Sequence, residues 1–147
     1  MTEFRGLSQM RPILSSARTI AVLGAHPTQW RPAFYVPQYL HEQGYRILPI
    51  NPRFAAKGLE LWGEPVRATL AELAEPVDIV DVFRAGDRVP EHLDDLLAMD
   101  PKPALVWLQL GSRNDAVGEA MEAAGIDFVQ DRCTLADHRS LGLPRIS

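Results

Sequence analysis

A chain of 147 residues with 46% hydrophobic and 23% charged side chains has enough apolar material for one domain with a sizeable core, and not for two. A net charge of −4 sets bulk electrostatics against nucleic acid, and no apolar run approaches the ~20 residues of a membrane span. The single cysteine, Cys133, excludes an intrachain disulfide and suits a reducing compartment; with no apolar leader segment at the start of the chain, a cytoplasmic location is expected.

Taken in order, Leu7–Ala17 reads as a short opening helix and Thr19–Leu23 (TIAVL) as the first strand. Ala33–Gln43 has Phe34, Val36, Tyr39 and Leu40 largely on one helical face, with Gly44 as C-cap. Pro37, at its fifth position, predicts either an irregular first turn or a helix that starts near Val36. Tyr45–Ile50 is the second strand, and Pro65–Ala74 a linker with one helical turn around Thr69–Leu73. Val77–Phe83, Ala104–Leu108 and Ile126–Val129 are three further strands. They are separated by the helical patterns Asp87–Met99 and Asn114–Ala124, and Leu135–Leu141 closes the chain. Strands alternating with helices, several apolar on both faces, predict an α/β fold. The most economical form is one doubly wound domain, a five-stranded parallel sheet with helices on both faces. By analogy with nucleotide-binding domains the order is 3-2-1-4-5, with the ligand near the switch between strands 1 and 4.

Ligands of such sheets bind beyond the C-terminal strand tips. The first tip is Gly24, Ala25, His26, Pro27. Gly24 turns the chain with no Cβ facing a ligand, and the amides after it suit a phosphate; a plain βα turn needs the same glycine. The G-x-G-x-x-G spacing of ordinary dinucleotide sites is missing. His26 either donates to a phosphate or caps the turn, and no cluster of metal-ligand spacing accompanies it. Arg31 either clamps a phosphate or is a solvated charge. At the second tip, dinucleotide sites place Asp or Glu to accept from ribose hydroxyls. Asn51, Pro52 and Arg53 replace that acid with an amide, a proline and a cation, which either attracts a ribose phosphate or is the solvated charge of a proline-stiffened loop. The ligand implied is an adenosine with an extra ribose phosphate, coenzyme A or NADP. Phe83 and Arg84 end the third strand, Gln109 and Gly111 the fourth. Cys133, after the fifth, is either a small buried hydrophobe or a thiol near the ligand made more reactive by Arg132.

The stretches TIAVLGAHPTQWRPAFYVPQYLHEQGYRILPINPR, EPVDIVDVFR, VWLQLGSRNDAVGEAMEAAGI and DRCTLADH together carry a family resemblance. From about Ala17 to His138 the chain resembles the small stand-alone CoA-binding domain proteins. These are similar to the CoA-binding domain of the succinyl-CoA ligase alpha subunit and, more distantly, to the nucleotide domain of redox-sensing repressors. The resemblance implies a Rossmann-like domain holding coenzyme A at the strand tips. It implies a phosphate turn at Gly24 to His26 with Arg31 beside it, and the nucleotide end near Asn51, Pro52 and Arg53. Adenine contacts are implied near Val82, Phe83 and Arg84, with Gln109 and Gly111 on the pantetheine side. The sequence departs from the family in having His26 where Ser is common and Trp30 before the arginine.

The reading that follows is a CoA- or acyl-CoA-binding module without chemistry of its own, since no phosphohistidine loop or nucleophile–base arrangement is apparent. The alternatives are a small NADP- or acyl-CoA-using enzyme, with Cys133 or His26 as catalyst, and a CoA-sensing module acting on a protein partner. A small-molecule ligand is expected, with no nucleic acid and no membrane; a homodimer is compatible. Were Cys133 near the pantetheine end, a mixed disulfide with CoA would form under oxidation.

Overall fold

The computed structural model describes residues 3–146. Helix α1 (Leu7–Ser16) precedes strand β1 (Thr19–Leu23), and α2 (Pro32–Glu42) leads to β2 (Arg46–Ile50). One helical turn, α3 (Pro52–Ala55), follows, then a small antiparallel ribbon of β3 (Glu60–Leu61) and β4 (Glu64–Pro65). The ribbon, which no sequence signal announced, turns on Trp62 and Gly63, both at positive φ. A 3-10 turn at Leu70–Glu72 falls within the expected linker. The chain continues through β5 (Ile79–Val82), α4 (Leu93–Ala98), β6 (Leu105–Leu108), α5 (Asp115–Ala123), β7 (Asp127–Val129) and α6 (Thr134–Leu141).

Alternate residues of each strand enter opposite cores, as the period of two requires. Ile20, Val22, Ile47, Ile79, Leu105 and Trp107 pack with Met10 and Leu14 of α1, Leu40 of α2 and Leu141 of α6. Ala21, Leu23, Leu48, Val80, Val82 and Val106 pack with Leu96 of α4 and with Val117 and Met121 of α5. The result is the doubly wound, Rossmann-like parallel sheet with both faces covered.

The strand order corrects the expectation of 3-2-1-4-5. It is β2-β1-β5-β6-β7, so the five principal strands run 2-1-3-4-5. The segment between β2 and β5 closes the outer edge of β2. Asn51 N–H donates to Arg67 O at 2.8 Å, and Arg67 N–H to Pro49 O at 3.0 Å. Arg46, at the head of β2, pairs with Glu64 at 3.1 Å and with Glu75. With that edge taken, β5 pairs on the other side of β1. Asp78 fixes it there, its Oδ2 accepting from Arg18 N–H at 2.8 Å and Thr19 N–H at 3.0 Å. The switch point therefore lies between the first and third principal strands, β1 and β5, and not between the first and fourth.

Two helices differ from their sequence patterns. Asp87–Met99 is a 3-10 segment, Gly86–His92, followed by the short α4, because Pro90 removes a backbone donor midway. In α2 the helix starts at Pro32 and runs unbroken through Pro37, with neither an irregular first turn nor a start near Val36. The Ala33 carbonyl that Pro37 cannot donate to accepts the N–H of His26 at 3.3 Å instead. One missing helical hydrogen bond thus ties the turn after β1 to the first turn of α2.

Candidate functional site

The strand tips open into two cavities with Arg84 on the wall of both. The β1–β2 cavity, about 490 Å³, is lined by Gly24, Asn51, Pro52, Arg53, Arg84, Glu91, His92 and Asp95, among others. The β5–β6 cavity, about 570 Å³, lies between the start of α2 and the tips of β5 and β6. Its wall includes Arg31, Phe83, Arg84, Gln109, Gly111, Ser112 and Cys133. Of the sequence-expected residues, Ala25, His26, Pro27 and Val82 line neither. Ala25 and Val82 are fully buried in the two cores.

The turn after β1 is shaped mainly by its own packing. A Cβ on Gly24 would stand 2.5 Å from the Phe83 carbonyl oxygen, and its φ is +84°. The glycine thus answers first to the close passage of β5. Its N–H goes to Ile50 O at 2.9 Å, and that of His26 to Ala33 O, so neither amide is spare. Of the two amides directly after Gly24, that of His26 is therefore committed to α2, while that of Ala25 has no acceptor among the described residues. The N–H groups of Trp30 and of Ala33, in the first turn of α2, keep no acceptor among the described residues. His26 caps the turn, its Nδ1 accepting from Thr28 N–H at 3.1 Å. Asn51 is likewise committed: Oδ1 accepts from Arg53 N–H at 3.0 Å and Nδ2 donates to Ala25 O at 2.9 Å.

The cations are less committed. Among the described residues neither Arg31 nor Arg53 is in an ion pair. Their guanidinium groups lie over the Trp30 and Phe54 rings, at 5.4 and 5.1 Å. The His26 imidazole meets Phe54 edge-on at 4.9 Å. Burial holds the His26 pKa below its usual value, and repulsion from Arg31 and Arg53 adds to this. The fields of two arginines therefore converge on the turn. Arg84 donates from Nη2 to Glu91 Oε1 at 3.0 Å, yet its Nε is buried without a partner. His92 Nε2 is also buried and unpartnered, and burial, then Arg84, holds its pKa down.

Behind the β5–β6 cavity lies a cluster the sequence reading missed. Gln109 Nε2 donates to Asp81 Oδ1 at 2.6 Å and to Thr134 Oγ1 at 2.8 Å. Thr134 Oγ1 donates in turn to Asp81 Oδ2 at 3.1 Å. All three residues are buried. Burial pushes the Asp81 carboxyl up to about 7, against the two hydrogen bonds, which favour the charged form. The signal was an acid in the middle of the apolar run VDIVDVF. Both amide hydrogens of Gln109 are thus used, and its Oε1 is left as the acceptor. Cys133 lines the cavity, but Arg132 is not a free cation beside it. Its Nε and Nη2 bind both oxygens of Asp137 at 2.6 and 3.0 Å. That pairing corrects the expectation of a thiol activated by Arg132.

Known proteins share both the sequence and this architecture. A curated relative, the uncharacterized protein YneT of Bacillus subtilis (strain 168), is 28% identical over 131 residues, 89% of this chain and 93% of its own. The solved structure of cell-free ID.343 from Thermus thermophilus is 51% identical, with a TM-score of 0.87 over 93% of this chain and 99% of that one. A hypothetical protein from Pyrococcus horikoshii OT3 is 26% identical, with a TM-score of 0.84 over 97% of this chain and all of that one. The family model described as CoA binding domain matches residues 18–139, so the chain belongs to the CoA-binding domain family.

Proposed function

We propose that this protein binds coenzyme A, free or as an acyl-CoA, across the two cavities and without catalysis of its own. The observation that carries the reading is a charged cavity and a mainly uncharged one meeting at Arg84. Coenzyme A has the same asymmetry: a phosphorylated adenosine and pyrophosphate at one end, an uncharged amide-bearing arm at the other. In this reading Arg53 meets the ribose phosphate, and Glu91 or Asp95 accepts from ribose or adenine donors. Arg31 and the free amides at the start of α2 meet the pyrophosphate. Gln109 Oε1 accepts from an amide N–H of the arm. The unpartnered Arg84 Nε and His92 Nε2, in the walls of the charged cavity, fit a ligand rich in acceptors.

Two measurements test the binding. The purified protein is denatured and the released small molecule identified by mass spectrometry; calorimetry then compares CoA, NADP and NAD. CoA is expected to bind most tightly, and tighter binding of NAD overturns the reading. The absence of catalysis is tested through Cys133, the one thiol in the chain. Cys133→Ala is expected to leave CoA affinity within about twofold, a contact worth under ~0.5 kcal/mol. The lifetime of acetyl-CoA with the protein should be unchanged as well. Turnover that Cys133→Ala abolishes makes the protein an enzyme.

A further inference from the structure

Three large hydrophobic side chains stand out to solvent among the described residues: Trp30 at 75% exposure, Leu110 at 72% and Tyr35 at 46%. All three line the β5–β6 cavity. They come from separate places: Trp30 from the turn before α2, Tyr35 from its first turns, Leu110 from the loop after β6. This is no stripe along one helix, but a convergence of two chain segments on one cavity. A single exposed leucine needs no explanation, whereas a cluster of large apolar groups around a cavity marks a surface that is covered in use. Val36 and Phe83 continue the apolar lining.

The coenzyme A arm accounts for these groups only in part: its gem-dimethyl and methylene groups are small and are interrupted by two amides. Its amides call for polar partners, of which Gln109 is one, and its terminal thiol is small. What would cover an apolar rim next to that thiol is whatever the thiol carries. We infer that the β5–β6 cavity accepts the apolar acyl chain of a CoA thioester, seated against Trp30, Tyr35 and Leu110, so that the ligand is a medium-chain acyl-CoA. The inference rests on the CoA reading above and goes beyond it by naming the acyl class. The Arg31 guanidinium over the Trp30 ring holds the indole while leaving most of its surface open.

The test is calorimetry of the full chain with CoA and with its acetyl, butyryl, hexanoyl and octanoyl thioesters. Each methylene laid on the rim should tighten binding about two- to fourfold, given its transfer from water. Octanoyl-CoA, six methylenes longer, should therefore bind about 60-fold more tightly than acetyl-CoA or better if all six are laid on the rim, and at least ~10-fold if only half or so are. Leu110→Ser and Trp30→Ser, both at exposed positions, should each cut the octanoyl-to-CoA affinity ratio at least threefold. Circular dichroism and the unfolding midpoint establish that the variants are folded. Equal affinity for CoA and octanoyl-CoA overturns this inference and leaves the CoA reading standing. No binding of CoA itself overturns both. A dimer in sedimentation that Leu110→Ser converts to monomer, with no gain along the acyl series, overturns the inference in favour of a second copy as the cover.

Discussion

The β1–β2 and β5–β6 cavities sit side by side at the ends of one sheet, yet they offer a ligand different physics. The first presents Arg53, Arg84 and His92 with Glu91 and Asp95, groups whose contacts are directional and screened by salt. The second presents apolar side chains in front of a buried acid–amide–hydroxyl cluster, a surface that offers area to bury and one oriented amide. The strand order produces this contrast. With β5 beside β1, the short segments after β2 and β5 border one cavity, while α2 and the β6 loop border the other. A ligand with a charged head and an uncharged tail can then lie across the sheet and meet each kind of surface in turn.

The sharpest way to break the comparison is through the glycines, one on each cavity wall. Gly24 and Gly111 both have positive φ, but only Gly24 has backbone within reach of an added Cβ, the Phe83 oxygen at 2.5 Å. Gly111→Ala should cost about 1–2 kcal/mol, the strain of the left-handed conformation alone. Gly24→Ala should cost roughly 3 kcal/mol or more, because β5 must also move away from β1. Denaturant unfolding of the two variants measures this. Equal costs would show that close β1–β5 packing is not what demands a glycine there.

A second contrast is the effect of pH on the cluster behind the second cavity. The Asp81 carboxyl titrates at about 7 in the fold against an ordinary value of 3.8. Between those values the folded state holds a proton that the unfolded chain has lost. Stability therefore falls as pH rises through that window, by up to about 1.4 kcal/mol per unit, and levels off above it. Asp81→Asn keeps a shape able to accept from Gln109 and removes the titration. The stability of wild type relative to this variant should decline between pH 4 and 7. A difference constant with pH would mean that Asp81 stays ionised in the fold.

How much of this contrast was legible in the sequence depends on the range of the interaction. The strands were readable because β-branched runs bounded by Gly, Pro and Asp are local signals. The tip residues were readable because, once the sheet is parallel, every tip falls at the same edge. The strand order was not, because it turns on whether the β2–β5 segment pairs with the edge of β2. That pairing uses the backbone of Arg67 and Asn51, which has no side-chain signature. The roles of Asn51 and His26 were half legible. Both are polar groups at a tip, but their hydrogen bonds to Ala25 and Thr28 make them parts of the scaffold. Trp30 stands out in the sequence as a departure within the turn. Its meaning came only with Leu110, 80 positions away, on the same cavity.

The smallest expected effect is also the most specific to the charged cavity. Arg53 is exposed, outside any ion pair among the described residues, and seated on Phe54. Arg53→Ala should leave stability nearly unchanged, since an exposed stacking contact of this kind is worth only about 0.5–1 kcal/mol. Its effect on binding should be larger, because a charge-assisted hydrogen bond to phosphate contributes about 1.5–3 kcal/mol, or roughly 10- to 100-fold in affinity. That loss should appear with CoA and vanish with dephospho-CoA, which lacks the ribose phosphate. It should also flatten the salt dependence of CoA binding, since one screened charge contact is gone. The gain from an acyl chain should survive intact, because the two cavities contribute separately when their groups share no partner. Loss of dephospho-CoA and CoA affinity in equal measure would move Arg53 from the ribose phosphate to the pyrophosphate.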